Sequence, residues 1–294
     1  MNLNNPEDFE KSVLEEIEPE LKALSEMSVS ERQFLNGIIR QHRPKKIVEI
    51  GVAAGGSSAV ILNAIKDIEG AHLYSHDYFE AYYRDNTKKT GFVVERFPKL
   101  REKWTLLTGG MACNFLDEIG GDIDVCLLDT THSNPGEFLD YLQILPYMKK
   151  NGIVVIHDTC LHEYMKMPSL TTCCVLLSAI KGEKIIPART EHNFLPNIGA
   201  VVLDDDAQKR AFDVFNCLAL PWSYKIYEDD TDKLHKHFEK HYNKELVDWF
   251  LKIVEYNKNL FSIDNPIPPQ DIAPKPNSFY EKLKQTIHLI RGWK

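Results

Sequence analysis

The sequence predicts an α/β fold: a seven-stranded, mostly parallel sheet with helices on both faces, extended by helices at both ends. Three observations point there. Short apolar runs alternate with helical stretches from residue 46 to residue 202, as in KIVEI, SSAVILNAIKDI, AHLYSHD and GIVVIHD. A glycine-rich turn, GVAAGGSS, joins the first of these runs to the helix after it. The last two runs, KIIPA and IGAVVLD, are too closely connected for a crossover and suit an antiparallel hairpin at the sheet edge.

The elements follow in order. Phe9, Val13, Ile17, Leu21 and Leu24 fall at helical spacing and predict one acidic amphipathic helix over residues 7–26. SVSERQFLNGIIRQH predicts a second helix, opened by a Ser-x-x-Glu capping box and closed before Pro44. These form an N-terminal helical cap, residues 1–43. The alternating core covers 44–204, with FVVERFPKLREK, MACNFLDEI and PGEFLDYLQILPYM among its helices and WTLLT and IDVCLLD among its strands. Residues 205–294 form a C-terminal helical extension, interrupted by a proline-rich linker at 264–277. Its last segment, SFYEKLKQTIHLIRGWK, reads as a basic amphipathic helix, which packs on its own domain or makes a peripheral membrane contact.

Bulk properties exclude several functions. With 35 basic and 43 acidic residues among 294, a net charge of −8 argues against a nucleic-acid partner. Six cysteines without CxxC spacing suggest reduced thiols rather than a zinc framework or a secreted disulfide set. No leader pattern and no membrane-length apolar run is present, so a cytoplasmic location is expected. The expected partner is a small-molecule or glycan acceptor, together with a second copy if the chain is a homo-oligomer.

Chemistry-bearing residues gather where strands should end. The turn after KIVEI reads Glu49-x-Gly51-x-x-x-Gly55-Gly56-Ser57, a seat for a ligand against backbone amides. A dinucleotide fingerprint would place glycine where Ala53 stands, which argues against NAD and against an oxidoreductase or epimerase. Asp77 ends the second strand, where a carboxylate can accept from two ribose hydroxyls. Asp129 ends the fourth strand with His132 three residues on, and His157 and Asp158 end the fifth. Ligands bind outside the carboxyl ends of parallel strands, so Glu49, Asp77, Asp129 and Asp158 are expected to face one crevice. Arg189 and His192 are candidate acceptor contacts. His237 and His241, at i and i+4, match zinc spacing, but neighbouring lysines favour a solvated helix.

Glu49-x-Gly51-x-x-x-Gly55 resembles the first motif of class I S-adenosylmethionine-dependent methyltransferases, and the likeness covers about residues 30–204. The stretch LLDTTHSNPGEFLDYLQILPYMKKNGIVVIHDT resembles the branch containing macrocin- and mycinamicin-type sugar O-methyltransferases and cephalosporin hydroxylase-like proteins. The resemblance implies a Rossmann-like core and S-adenosyl-L-methionine held by Glu49, Gly51, Ala53, Gly55, Ser57, Asp77, Gly110, Met111 and Asp129. It implies Mg2+ on Asp129 and Asp158, with His157 at a place that is often acidic in relatives. The acceptor it implies is a sugar hydroxyl, activated by the metal. Without a metal, His132 or His157 takes the proton directly, with Asp129 alongside. A third alternative is a non-catalytic protein that binds the cofactor and makes contacts through its helical ends.

Overall fold

The computed structural model describes residues 5–22, 24–189 and 194–260. Its sheet has seven strands: β1 (Lys46–Ile50), β2 (His72–Asp77), β3 (Trp104–Thr108), β4 (Ile123–Leu128), β5 (Met148–His157), β6 (Gly182–Ile185) and β7 (Ile198–Leu203). They lie in the order β3-β2-β1-β4-β5-β7-β6. The strands from β3 to β5 are parallel, and β7 runs antiparallel between β5 and β6. The sheet is the Rossmann-like arrangement expected, with the predicted hairpin at its edge. Strand order reverses between β1 and β4, where the chain leaves the sheet in opposite directions and a crevice opens.

Both faces are buried, so the central strands are apolar throughout rather than alternating. Val125, Leu127, Ile153 and Val155 pack into one core, and Cys126, Leu128, Val154 and Ile156 into the other. The helices in chain order are α1 (Lys11–Glu15), α2 (Glu18–Leu21), α3 (Val29–His42), α4 (Gly56–Ala64), α5 (Leu116–Ile119), α6 (Gly136–Ile144), α7 (Leu161–Met165), α8 (Thr172–Ala179), α9 (Phe212–Cys217), α10 (Glu228–His241) and α11 (Lys244–Leu260). Helices α3 and α4 cover the first core; α6 and α8 to α11 cover the second.

Helix α3 begins at the predicted capping box, with Ser28 Oγ accepting from the Glu31 amide and the Glu31 carboxylate accepting from the Ser28 amide. The single helix expected over 7–26 is instead a 3-10 turn and two short helices. Glu10 takes a left-handed conformation (φ 45°), and Pro19 starts α2 because it has no amide to continue a helix. The pieces dock through buried cations, Arg32 to Glu18 and Arg40 to Glu10, and Arg40 also pairs with Asp67 after α4. The predicted helix FVVERFPKLREK is two 3-10 turns, Phe92–Arg96 and Arg101–Lys103, separated by Pro98. Three expectations lie outside the described residues: the linker at 264–277, the basic terminal helix and His192. Among the described residues no helix is long and apolar enough to cross a membrane.

Candidate functional site

The glycine turn is set by steric demands of the fold. Gly51 has φ +95°, and a Cβ there would lie 1.8 Å from the Asp129 carbonyl oxygen, so only glycine lets the ends of β1 and β4 pass. Gly55 has φ +92° and abuts the Gly91 backbone. Ala53 also adopts positive φ (49°). The expected role of these glycines, close approach of a ligand, is therefore joined by close approach of backbone.

Glu49 does not face the crevice. Its side chain is fully buried; Oε1 accepts from Ser57 Oγ at 2.5 Å, and Oε2 accepts from Ser58 Oγ at 2.5 Å and Ser75 Oγ at 2.6 Å. It pins the start of α4 to β1 and β2. Burial raises its pKa to about 7, against the pull of the three serine hydroxyls. The expectation is that Glu49 helps orient a cofactor; its side chain lies in the core under α4, where it holds the start of that helix beside the glycine turn.

Asp77 lines the crevice with much of its accepting capacity in use. Oδ2 accepts from the amides of Val52 (3.0 Å) and Ala53 (2.9 Å), and Oδ1 from the Phe79 amide (2.9 Å). It clamps the glycine turn to the end of β2, leaving Oδ1 free for a further donor. Gly110 follows Gly109 at positive φ (77° and 99°), with His76 Nε2 3.0 Å from its carbonyl, and Met111 lines the cavity beside it.

The histidine and aspartate at the end of β5 meet one group. Strand alternation predicts opposite faces, but Asp158 has φ 58°, which breaks the alternation. His157 Nδ1 lies 3.1 Å from Asp129 Oδ1 and 3.5 Å from Asp158 Oδ2. His132, also at positive φ (59°), places Nε2 3.1 Å from Asp158 Oδ2 and Nδ1 3.4 Å from Glu137 Oε1. Asn197 Nδ2 donates to Asp158 Oδ1 at 2.5 Å, and Thr130 Oγ1 donates to Asp140 at 2.7 Å and Glu137 at 3.1 Å. Glu31, reaching in from α3, stands 3.5 Å from His157 Nε2.

The charges in this cluster are coupled. Burial disfavours charge on His132, yet Asp158, Glu137 and Asp129 raise its pKa to about 10. Burial likewise opposes charge on His157, but Asp129 and Asp158 raise it well above the ordinary imidazole range. Burial works against ionised Asp158 too, and the two imidazoles win, holding it well below the usual carboxylate range. Both histidines thus sit against carboxylates that favour their charged forms. His157 is moreover buried at 4% exposure and lies off the cavity wall. Asp129, Asp158 and His132 place ligand atoms within 4.8 Å of one another, and His157 Nδ1 stands beside the same two carboxylates, so both imidazoles border the expected Asp129–Asp158 pair.

A cavity of about 750 Å³ joins these parts. It runs from the glycine turn past Asp77 and Met111 to Asp129 and His132, with Met167 and Tyr224 also on its wall. That size and position at the strand-order reversal suit a small-molecule site. Arg189 is exposed and does not line it. His237 and His241 are not a solvated pair: His237 is buried with Nε2 3.0 Å from the Gln143 carbonyl, and His241 Nε2 is 3.0 Å from Tyr147 Oη. Burial lowers the His237 pKa to about 4. Sequence reasoning missed Glu31, Glu137, Asp140, Asn197 and Tyr224. The signal for two of them was visible, since Glu137 and Asp140 interrupt an otherwise apolar helix at i and i+3.

Solved structures with a similar chain trace include the O-methyltransferase of Bacillus cereus in complex with SAH (17% identity, 65% of this chain and 90% of that one, TM-score 0.47). Others are the O-methyltransferase TomG of Streptomyces achromogenes, involved in tomaymycin synthesis and complexed with SAM (14%, 66% and 90%, TM-score 0.46), and an SAH-bound methyltransferase of Podospora anserina (15%, 66% and 88%, TM-score 0.48). No curated protein matches the chain in sequence. Residues 48–159, the stretch that carries the glycine turn, Asp77, Asp129, His132, His157 and Asp158, match the family model of a methyltransferase domain.

Proposed function

We propose that the protein is an S-adenosylmethionine-dependent O-methyltransferase acting on a hydroxyl of a sugar or glycan precursor. The observation that carries this reading is the single cavity that joins the glycine turn to the Asp129–His132 cluster, within residues that match a methyltransferase domain. S-adenosylmethionine suits the donor set: the turn at 51–53 would hold its amino-acid part, the remaining lone pair of Asp77 Oδ1 would accept from ribose, and Met111 would offer the base an apolar contact. When bound it supplies an electrophilic methyl group.

The chain's own residues hold the acceptor. Asp129, on the cavity wall, would accept a hydrogen bond from the acceptor hydroxyl, with His157 Nδ1 3.1 Å away holding Asp129 from behind. Met167 and Tyr224, on the same cavity wall, would narrow the space open to water. Asp129 and Asp158 are the two carboxylates that suit a magnesium ion, which prefers oxygen donors. Such an ion, when bound, lowers the pKa of the hydroxyl.

Calorimetric titration with S-adenosylhomocysteine, paired with transfer of labelled methyl to a panel of sugar hydroxyls, tests the proposal. Wild type and Asp129→Asn both bind the nucleoside; transfer falls by about 10²–10⁴-fold in the variant. Failure of wild type to bind S-adenosylhomocysteine overturns the reading. Binding without any transfer, with or without magnesium, favours a non-catalytic protein.

A further inference from the structure

Behind the cavity wall His132 presents its second nitrogen to a set of donors that the transferase reading does not use. His132, Glu137 and Cys173 each offer one ligand atom, and these atoms lie within 4.8 Å of one another. They come from three places: the turn after β4, the first turn of α6, and the first turn of α8. Glu137 is fully buried; its Oε1 accepts from Thr130 Oγ1 and the His132 amide, while Oε2 has no hydrogen-bond partner. His132 Nδ1 is buried and equally without a hydrogen-bond partner. Cys173 is a free thiol with no exposed surface. A buried carboxylate oxygen left unsatisfied is costly, so its retention here calls for a partner.

We propose that His132 Nδ1, Glu137 Oε2 and Cys173 Sγ bind a zinc-like divalent ion. The donor chemistry is that of a borderline-soft ion: one thiolate, one imidazole nitrogen and one carboxylate, a set zinc takes and magnesium does not. The surroundings match what such a ligand histidine needs. With an ion on Nδ1 the ring keeps its proton on Nε2, 3.1 Å from Asp158 Oδ2, and Asp158 is itself held by Asn197. A carboxylate on the far nitrogen is the usual means of fixing the ring and raising its basicity. Binding releases the thiol proton and the proton on Nδ1, so affinity rises with pH. The assignment also leaves Asp129, on the cavity wall, free of the ion, and it stands independently of what the cavity binds.

The test uses the full-length, metal-free protein titrated with Co2+ and Cd2+ and followed by the thiolate-to-metal charge-transfer absorption. Wild type is expected to develop the band with one equivalent of metal. Cys173→Ser abolishes it, Cys174→Ser keeps it, and Glu137→Gln weakens binding by at least about tenfold. Far-UV circular dichroism of each variant confirms the fold; should Cys173→Ser not fold, Glu137→Gln alone decides. No charge-transfer band in wild type, an unchanged band in Cys173→Ser, or unchanged affinity in Glu137→Gln overturns the proposal. Binding of S-adenosylhomocysteine on the same samples reports the cavity separately.

Discussion

A carboxyl group with no exposed surface, held by three serine hydroxyls, gives Glu49 a measurable pH signature. Its folded pKa of about 7 exceeds the ordinary 4.5, so over that interval the native state keeps a proton the unfolded chain has released. Stability contributed by this group is complete below pH 4.5, falls as pH rises towards 7 and is constant above it. The full effect is on the order of 3 kcal/mol. Glu49→Gln should therefore gain stability relative to wild type between pH 4.5 and 7.5, read by urea denaturation at each pH; a difference that does not change with pH would refute the assignment. Asp140, raised by burial to about 7, contributes with the same sign. Gly51 makes a second prediction. Gly51→Ala places a methyl group 1.8 Å from the Asp129 carbonyl oxygen at a positive φ, and should cost roughly 2–4 kcal/mol and displace Asp129 as well. Tm and methyl transfer should fall together.

Helix α3 links the N-terminal segments to the site. Gly37 lets the Pro6 backbone approach so closely that a Cβ would fall 1.6 Å from the Pro6 carbonyl oxygen. Gly37→Ala should undock the segments before α3, with amide exchange in residues 5–22 accelerating while β4 and β5 keep their protection. Loss of protection across the whole sheet would instead mean that this docking is part of the global fold. The strands were legible because alternation and apolar runs are local properties of a sheet buried on both faces. The helix expected over 7–26 was not, because one apolar spacing fits a continuous helix as well as the pieces at 6–21 that break at Glu10 and Pro19. The same limit applies at 92–103, where Pro98 divides the segment into separate turns.

At the scale of the molecule, the cavity is assembled from segments distant in sequence: the turn after β1, the ends of β2 and β4, Met167 after α7 and Tyr224 before α10. A ligand that binds only this assembled state stabilises all of it. S-adenosylhomocysteine at a hundred times its Kd should add about 2.7 kcal/mol and raise Tm by a few degrees. Scanning fluorimetry across a concentration series checks this, and an unchanged Tm at saturation would count against the cavity as its site.

By itself the sequence determined the α/β sheet, the place of the glycine turn and the positions of Asp77, Asp129, His132, His157 and Asp158 at strand ends. Those follow from periodicity and from the rule that ligands gather at the carboxyl edge. Tertiary structure decided which of them touch. Positive φ at Asp158 brings its side chain into the same cluster as His157, which strand alternation would have kept apart, and His132, also at positive φ, joins them from the turn after β4. Glu49 turned inward because three serines from two elements meet it there. Glu31, Glu137 and Asn197 joined the site only when α3, α6 and the start of β7 were packed beside it. Side-chain direction depends on backbone angles and on neighbours far along the chain, and neither is written in local spacing.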